Sequence, residues 1–252
     1  MTWIVIALFG LLLGSFLNVV IARLPEKRSL AFPGSHCPSC GKAIRIYDNI
    51  PVLSFILLGG RCRDCRVRIP WRYPLVEILA SAVLTVLFLA YGWSPRMIVY
   101  GVLALHLVAI AFIDAKLGII PNALVISGSI LGAALVPALQ VEKWTTAALG
   151  ALSGAGMMLV IAALGRLFLK KESMGMGDIK LYGMIGLYVG FPDVFATLFF
   201  AVYVAAAFIG VGLALRKIKL RDAIPFGPFI AIGTVVFLVW GRAIVGWYLR
   251  CL

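Results

Sequence analysis

The sequence predicts an all-α polytopic membrane protein with about eight transmembrane helices and a small insert between the first two. Two observations predict this fold class. Of the 252 residues, 63% are hydrophobic and only 13% are charged, and the mean hydropathy is +1.06, a balance far from that of soluble domains. In addition, apolar stretches close to the ~20 residues that a spanning helix needs recur along the chain.

Eight apolar stretches predict the helices in order, although the sixth is short and the fourth is weakly marked. The first is unlike a secretory signal, because it lacks a basic start and its apolar run from Trp3 to Ala22 is too long. We therefore interpret it as a retained helix. The stretches cover residues 3–22, 75–91, 97–113, 121–139, 145–168, 179–191, 194–215 and 225–249.

The distribution of basic residues predicts the orientation of these helices. Residues 23–74 carry ten Lys and Arg against three acidic residues, and such a loop is expected on the cytosolic side. Eight spans then place both termini outside, with few basic residues in the outer connections. The net charge of +13 is thus explained by orientation and by anionic inner-leaflet lipid, and no nucleic-acid partner is expected. The inner connections carry Lys116, Lys170, Lys171, Arg216, Lys217, Lys219 and Arg221.

The chain divides into a first transmembrane helix (1–22), a cytosolic insert (23–74) and a helical bundle (75–252). The insert holds two CxxC pairs separated by 21 residues, close to the spacing of a zinc ribbon. Four thiolates leave no open coordination position, so a structural metal site is the natural interpretation. Two disulfides or free thiols are the alternatives, and a cytosolic location disfavours disulfides. The four cysteines are Cys37, Cys40, Cys62 and Cys65.

Other features of the insert have more than one interpretation. The apolar stretch "DNIPVLSFILLGG" (48–60) either packs under the metal module or lies against the membrane. Glu77 is expected in the first turn of the second transmembrane helix, where the helix dipole favours a carboxylate, and a ligand-binding role stays open. His36 and Asp64 are expected to be surface residues, and Cys251 a lone thiol.

Two carboxylates stand out in the bundle, Asp114 in "AFIDAKLGIIPN" and Asp178 in "GMGDIKLYG". Charged groups near hydrocarbon are costly and are usually functional. The third stretch runs inward and ends at Asp114, and the sixth begins on the inner side at Asp178, so both are expected at the cytosolic face. Paired carboxylates that share one proton suit hydrolysis of an amide by activated water.

The residues alone leave alternatives open. Asp178 is also suited to capping a helix, and Asp114 is also able to pair with Lys116 or Lys180. His106, in the middle of the third stretch, is expected to be a hydrogen-bonded packing residue. Asn18 and Asn122 are expected to satisfy backbone groups at helix ends or kinks.

An ordered set of motifs closely resembles the bacterial type IV prepilin peptidases, which are membrane aspartic proteases of the GxGD class. A GxGD motif by itself is weak evidence, whereas the set covers nearly the whole chain. Besides the CxxC pairs, the set comprises "GSFLNVVIARLP" (14–25), "DNIPVLS" (48–54), "RYPLVE" (72–77), "FIDAKLGIIPN" (112–122), "GMGDIKL" (175–181) and "IPFGPFIA" (224–231).

This resemblance implies a multi-pass inner-membrane enzyme of type IV pilus or type II secretion assembly. Such an enzyme cuts the basic leader from prepilins and pseudopilins at the cytosolic face and methylates the new N-terminus with S-adenosylmethionine. The catalytic pair maps onto Asp114 and Asp178, and the four insert cysteines map onto the zinc-bearing part associated with methyl transfer. Glu77 and the "DNIP" stretch are candidates for binding the methyl donor. Many relatives have an aspartate where this chain has Asn122, so an auxiliary carboxylate is not expected there.

Two rival hypotheses belong to other classes. In one, Asp114 and Asp178 form a proton relay in a transporter, but their common depth does not suit a relay across the bilayer. In the other, the chain is a non-enzymatic assembly scaffold whose insert docks partners and whose carboxylates only cap helices. The residues do not set the oligomeric state.

Overall fold

The computed structural model describes residues 2–169, 175–219 and 224–251. These residues form α-helices and no β-strand; the β-type pairing in them is limited to two isolated antiparallel bridges, His36 with Ala43 and Arg61 with Arg68. The helices are α1 (Thr2–Arg23), α2 (Leu53–Leu57), α3 (Arg72–Tyr91), α4 (Pro95–Leu117), α5 (Asn122–Ala138), α6 (Trp144–Leu169), α7 (Met176–Val189), α8 (Asp193–Ala214), α9 (Gly227–Val236) and α10 (Arg242–Cys251), with a 3₁₀ turn at Ile46–Asn49 and a π turn at Phe237–Gly241.

The prediction of an all-helical membrane protein is confirmed, and each of the eight apolar stretches contains a helix. Six helical segments in the described ranges are long and apolar enough to cross a membrane: Thr2–Arg23, Arg72–Tyr91, Pro95–Leu117, Trp144–Phe168, Asp193–Ala214 and Gly227–Trp247. The remaining two are shorter, because α5 has 17 residues and α7 has 14. The count of eight spans therefore stays a prediction.

The chain forms two compact units, residues 1–90 and 91–252. The first contains α1, the cysteine-bearing insert and α3 up to Ala90. The second contains α4 to α10. The division gives both flanking helices of the insert to the same unit, whereas the sequence led us to group everything after residue 74 with the bundle.

In the first unit, α1 and α3 pack antiparallel through small residues. A Cβ on Gly10 would lie 2.6 Å from the Ser81 Cα, and one on Gly14 would lie 2.5 Å from the Glu77 Cα. Glycine at these positions lets the two backbones approach closely, as is common between membrane helices. Ser81 Oγ strengthens the contact by donating to the Ala7 carbonyl at 2.8 Å.

In the second unit, α7 is enclosed by α5 and α6. The backbones of α6 and α7 meet at Gly150, whose added Cβ would lie only 2.3 Å from the Gly186 carbonyl oxygen. On the other side, the Tyr188 hydroxyl donates to the Gly128 carbonyl of α5 at 2.7 Å. These contacts explain how a helix of only 14 residues is fixed: α5 and α6 bury it from two sides.

Candidate functional site

Asp114 lies in the last turn of α4, at one end of the second unit. The helix ends at Gly118, which has a left-handed φ of +66° and whose N–H donates to the Asp114 carbonyl, an ending that favours glycine. The Asp114 side chain is buried, with 6% of the residue exposed. A buried carboxylate needs hydrogen-bond partners, and the partner here is the backbone N–H of Gly227, which donates to Oδ2 at 2.8 Å.

Gly227 is the first residue of α9, so the N-terminal end of that helix points at Asp114. A helix N-terminus carries a partial positive charge and favours an anion. A Cβ at residue 227 would lie 2.6 Å from Asp114 Oδ2, so only glycine fits this contact without displacing the carboxylate. Gly227 was part of the motif "IPFGPFIA", but sequence reasoning gave it no role; a glycine just before a helix that opens with proline was the available signal.

Asp178 is the third residue of α7 and half-buried. Its carboxylate lies beside the backbone of Gly175, the N-cap residue of the same helix. An acidic side chain at this position reaches back to the N-cap as in a capping box. Asp178 is therefore not the N-cap residue itself, and its contact with the Gly175 backbone leaves its carboxylate within electrostatic reach of Asp114.

Asp114 and Asp178 lie at the same end of the second unit, where α4 ends and α7 begins. The Asp114 carboxylate is close enough to act electrostatically on Asp178. The alternative ion pairs of Asp114 with Lys116 or Lys180 do not form among the described residues. Instead, Lys180 Nζ donates to Asn122 Oδ1 at 3.1 Å, so Asn122 holds the start of α5 against α7.

The loop before α5 closes the site from one side. A Cβ on Gly177 would lie 2.9 Å from the Ile120 Cβ, so this glycine allows the loop after α4 to pack against the start of α7. Gly175 and Met176 are exposed, which leaves the first turn of α7 accessible. Two acidic side chains are thus held at an accessible edge by backbone contacts, an arrangement that suits activation of water next to an extended peptide.

His106 is a packing residue in this structure. Its Nδ1 is 2.8 Å from the Val102 carbonyl oxygen, and its Nε2 is 3.3 Å from Ser127 Oγ. Both ring nitrogens are therefore engaged with α4 and α5, as expected from the sequence.

In the first unit, the four insert cysteines form one cluster. The Sγ atoms of Cys37, Cys40, Cys62 and Cys65 all lie within 4.8 Å of one another, and those of Cys37 and Cys65 are 3.8 Å apart. A tetrahedral zinc ion with Zn–S bonds of about 2.3 Å requires sulfur–sulfur distances of about 3.8 Å. The cluster is therefore positioned to bind a metal ion, and its donor set fits zinc.

The surroundings of the cluster favour a thiolate at Cys37 but not at Cys65. Backbone N–H groups of Cys40 and Ser39 lower the pKa of Cys37 to about 7. A backbone hydrogen bond from Val67 lowers the pKa of Cys65, but burial and the neighbouring sulfurs together raise it more, to about 11. One thiolate thus forms readily and further thiolates require a cation, which a bound metal supplies.

Two ion pairs tie the halves of the insert together. Lys42 Nζ lies 2.9 Å from Asp64 Oδ1, and Arg63 binds both oxygens of Asp48 at 2.6 to 3.1 Å. The Arg63 guanidinium lowers the pKa of Asp48. Exposed pairs of this kind contribute little stability, and they serve mainly to set the register of the two cysteine pairs.

Glu77 lies in the second turn of α3, because that helix begins at Arg72, and the expectation of a first-turn position is wrong. The helix begins at Arg72, three residues before the apolar stretch that predicted it. The side chain is buried, with 8% of the residue exposed. Its Oε2 accepts a hydrogen bond from the Val52 N–H at 2.8 Å, and Ser15 and Asn18 lie beside the same carboxylate. Three of the sequence motifs therefore meet at this residue.

Val52 is the residue that sequence reasoning missed in the first unit. It has φ of +60° and ψ of −47° and stands at the N-cap of α2, a conformation that is costly for a β-branched side chain. Its bond to Glu77 holds this turn in place. The tight "DNIPV" sequence with a proline was a signal for a turn, but not for its partner.

The chain matches two family models. Residues 8–91 match the bacterial peptidase A24 N-terminal domain, and residues 101–211 match the type IV leader peptidase family. The first match ends one residue after the boundary between the two compact units, which lies between residues 90 and 91. Each match includes one of the two sites: the cysteine cluster with Glu77 in the first, and the two aspartates in the second.

Several curated relatives named "prepilin leader peptidase/N-methyltransferase" are similar over nearly their full length. The one from Pseudomonas putida is 35% identical over 93% of this chain and 89% of its own. The one from Pseudomonas aeruginosa is 33% identical over 96% and 92%, and the one from Bacillus subtilis is 30% identical over 98% and 97%. No solved structure matches this chain at a comparable level. The paired aspartates, the cysteine cluster and these similarities agree: the chain belongs to the type IV leader peptidase family.

Proposed function

We propose that this chain cleaves the leader from type IV prepilins and pseudopilins and methylates the new N-terminus with S-adenosylmethionine. The observation that carries the proposal is that Asp114 and Asp178, within the region that matches the leader peptidase family, lie at the same end of the second unit and within electrostatic reach of each other. The names of the relatives, which state both activities, support it as well.

The geometry suits a water-activating pair. The hydrogen bond from Gly227 and the N-terminal end of α9 favour the ionised form of Asp114, so this residue takes a proton from the attacking water. Asp178 then carries the shared proton and donates it to the carbonyl oxygen of the substrate. Collapse of the tetrahedral gem-diol breaks the C–N bond: the departing amine takes up the proton held by Asp114, and one hydroxyl of the gem-diol returns its proton to Asp178, so both carboxyl groups regain their starting state. One water is consumed, and no covalent enzyme intermediate forms.

The cysteine cluster would hold one zinc ion in a structural role. Four thiolates complete its coordination, so the ion would supply no open position for catalysis; its contribution would be to fold the insert. Glu77 would act in methyl transfer through its position beneath the insert, where it holds the "DNIPV" turn.

We place the enzyme in the bacterial inner membrane, with eight spans and with the insert and the aspartates on the cytosolic side. The basic residues of 23–74 support this orientation.

Cleavage of a prepilin in proteoliposomes tests the assignment of the aspartates. We expect Asp114→Asn and Asp178→Asn each to reduce cleavage by at least about 10³-fold, because an amide cannot exchange the required proton. Both variants should still methylate a peptide that already has the mature N-terminus. Lys180→Met, which removes the exposed bond to Asn122, is a control for local disturbance of α7. Cleavage near the wild-type rate by either aspartate variant would refute the pair.

A further inference from the structure

The segment around α2 presents apolar side chains that nothing in the described part of the chain covers. Leu53 is 49% exposed, Ile56 is 66% exposed and Leu57 is 75% exposed. Trp71 is 77% exposed and packs against the ring of Phe55, with centroids 4.9 Å apart. The sequence left open whether this stretch packs under the metal module or lies against the membrane, and its exposure excludes full burial beneath the cysteine cluster.

The hydrogen bond between Val52 and Glu77 fixes the position of α2 along the axis of α3. Glu77 lies five residues inside the start of α3, about 7.5 Å along the helix axis. Its side chain leans towards the helix N-terminus, so the Val52 N–H that it accepts lies near the level at which α3 begins. The start of α2 is therefore held beside the end of a membrane-spanning helix and not out in the solvent.

The backbone of this segment is suited to a lipid environment, because its polar groups are paired internally. The N–H groups of Ser54, Ile56 and Leu58 donate to the carbonyls of Ile50, Val52 and Ser54. The hydroxyl of Ser54, the polar side chain within α2, donates to the Ile50 carbonyl at 2.5 Å. Unpaired backbone groups would make contact with acyl chains costly, and these hydrogen bonds remove that cost over most of the turn.

Basic side chains flank the apolar face. Arg61, Arg66 and Arg68 are exposed and form no ion pair with any described residue. An apolar helix next to free arginines, with a tryptophan at its edge, combines the features by which short helices bind the headgroup region of anionic membranes.

We propose that α2, together with Trp71, is an interfacial anchor that inserts its apolar face into the headgroup boundary of a bilayer containing anionic lipid. Glu77 sets the depth of the anchor through Val52, and the arginines bind lipid phosphates. The metal-bearing part of the insert is thereby held at the membrane surface. This inference rests on the first unit alone and does not depend on the proposed catalytic activities.

Quenching of Trp71 fluorescence by brominated lipids tests the anchor. The chain has six tryptophans, so the five others are changed to phenylalanine and the protein is reconstituted in vesicles of phosphatidylcholine with phosphatidylglycerol. A matched variant lacks Trp71 and carries Ala43→Trp, on an exposed residue of the first cysteine pair's hairpin. We expect lipids brominated near the headgroup end of the chain to quench Trp71 at least about twofold more than the tryptophan at 43, and iodide to show the reverse order.

A second variant separates insertion from simple proximity. Ile56→Gln with Leu57→Gln removes apolar surface that is already exposed, so the melting temperature should not change, while lipid quenching of Trp71 should fall at least about twofold. Strong iodide quenching of Trp71 with no lipid quenching would overturn the proposal. A blue-shifted Trp71 emission that neither brominated lipid nor iodide affects would also overturn it, since a protein surface, such as a second copy or a bound substrate, would then cover α2.

Discussion

Gly227→Ala should impair peptide cleavage although it changes no ionisable group. The substitution keeps the backbone N–H that donates to Asp114 Oδ2. The new Cβ, however, would lie 2.6 Å from Oδ2 and 3.0 Å from the Asp114 Cβ and Cγ. The Asp114 side chain must therefore move away from residue 227, because the residue that donates the hydrogen bond would now also carry the clashing Cβ.

The size of the displacement gives the magnitude. Ordinary van der Waals contact begins at 3.4 Å, so the carboxylate oxygen must retreat by about 0.8 Å. A misplacement of about 1 Å in a catalytic group can cost roughly 10²-fold in rate, which corresponds to about 2.7 kcal/mol of lost transition-state stabilisation. We therefore expect kcat/KM for cleavage to fall by roughly 10²-fold, less than for Asp114→Asn.

The assay is single-turnover cleavage of a purified prepilin in proteoliposomes, with methylation of a pre-cleaved substrate measured in parallel. Methylation should be unchanged, since the cysteine cluster and Glu77 belong to the other compact unit. Gly156→Ala is the matched control, because a Cβ there meets nothing within 4 Å and the variant should cleave at the wild-type rate.

Wild-type cleavage by Gly227→Ala, in a preparation where Asp114→Asn is inactive, would refute the claim that this contact positions the carboxylate. Equal loss of cleavage and methylation would instead show that the substitution disturbs the whole protein.

Three further predictions concern packing and the insert. Gly150→Ala should lower the melting temperature in detergent, with a cost of about 1–3 kcal/mol or more, because its Cβ would lie 2.3 Å from a backbone oxygen of α7; Gly156→Ala should be neutral or stabilising. Cys62→Ser should lower zinc content, measured by mass spectrometry, and reduce methylation more than cleavage; equal losses would mean that the insert folds the whole chain. Glu77→Ala should speed amide exchange at Val52 at least about tenfold, since the N–H loses its acceptor, whereas unchanged exchange would contradict the anchoring role.

The hydrophobic pattern was sufficient to locate the helices. Each of the eight apolar stretches contains one, since a backbone in hydrocarbon must satisfy its own hydrogen bonds and a helix does so locally. The pattern did not decide which helices are long enough to span. The end of α7 at Val189 and the start of α3 at Arg72 depend on turns and caps, which composition does not specify.

The candidate metal ligands and catalytic acids could be identified from the sequence because such side chains are rare in this apolar chain. Two CxxC pairs and two acidic residues at helix ends are visible in the sequence because almost nothing else there is able to bind a metal or move a proton. Their partners were not visible. Gly227 is 113 positions from Asp114 and Val52 is 25 positions from Glu77, and no local pattern links such pairs.

The sequence by itself determined the class of the protein, its helices, the four thiols that are positioned to bind a metal and the two acidic residues, because hydropathy and residue chemistry are local properties. The tertiary structure decided that Asp114 lies within electrostatic reach of Asp178, that a glycine of α9 holds Asp114, and that Glu77 ties the insert to the end of α3. These are contacts between residues far apart in the chain, which packing decides and no local pattern specifies; the one at Gly227 also needs a residue without a Cβ.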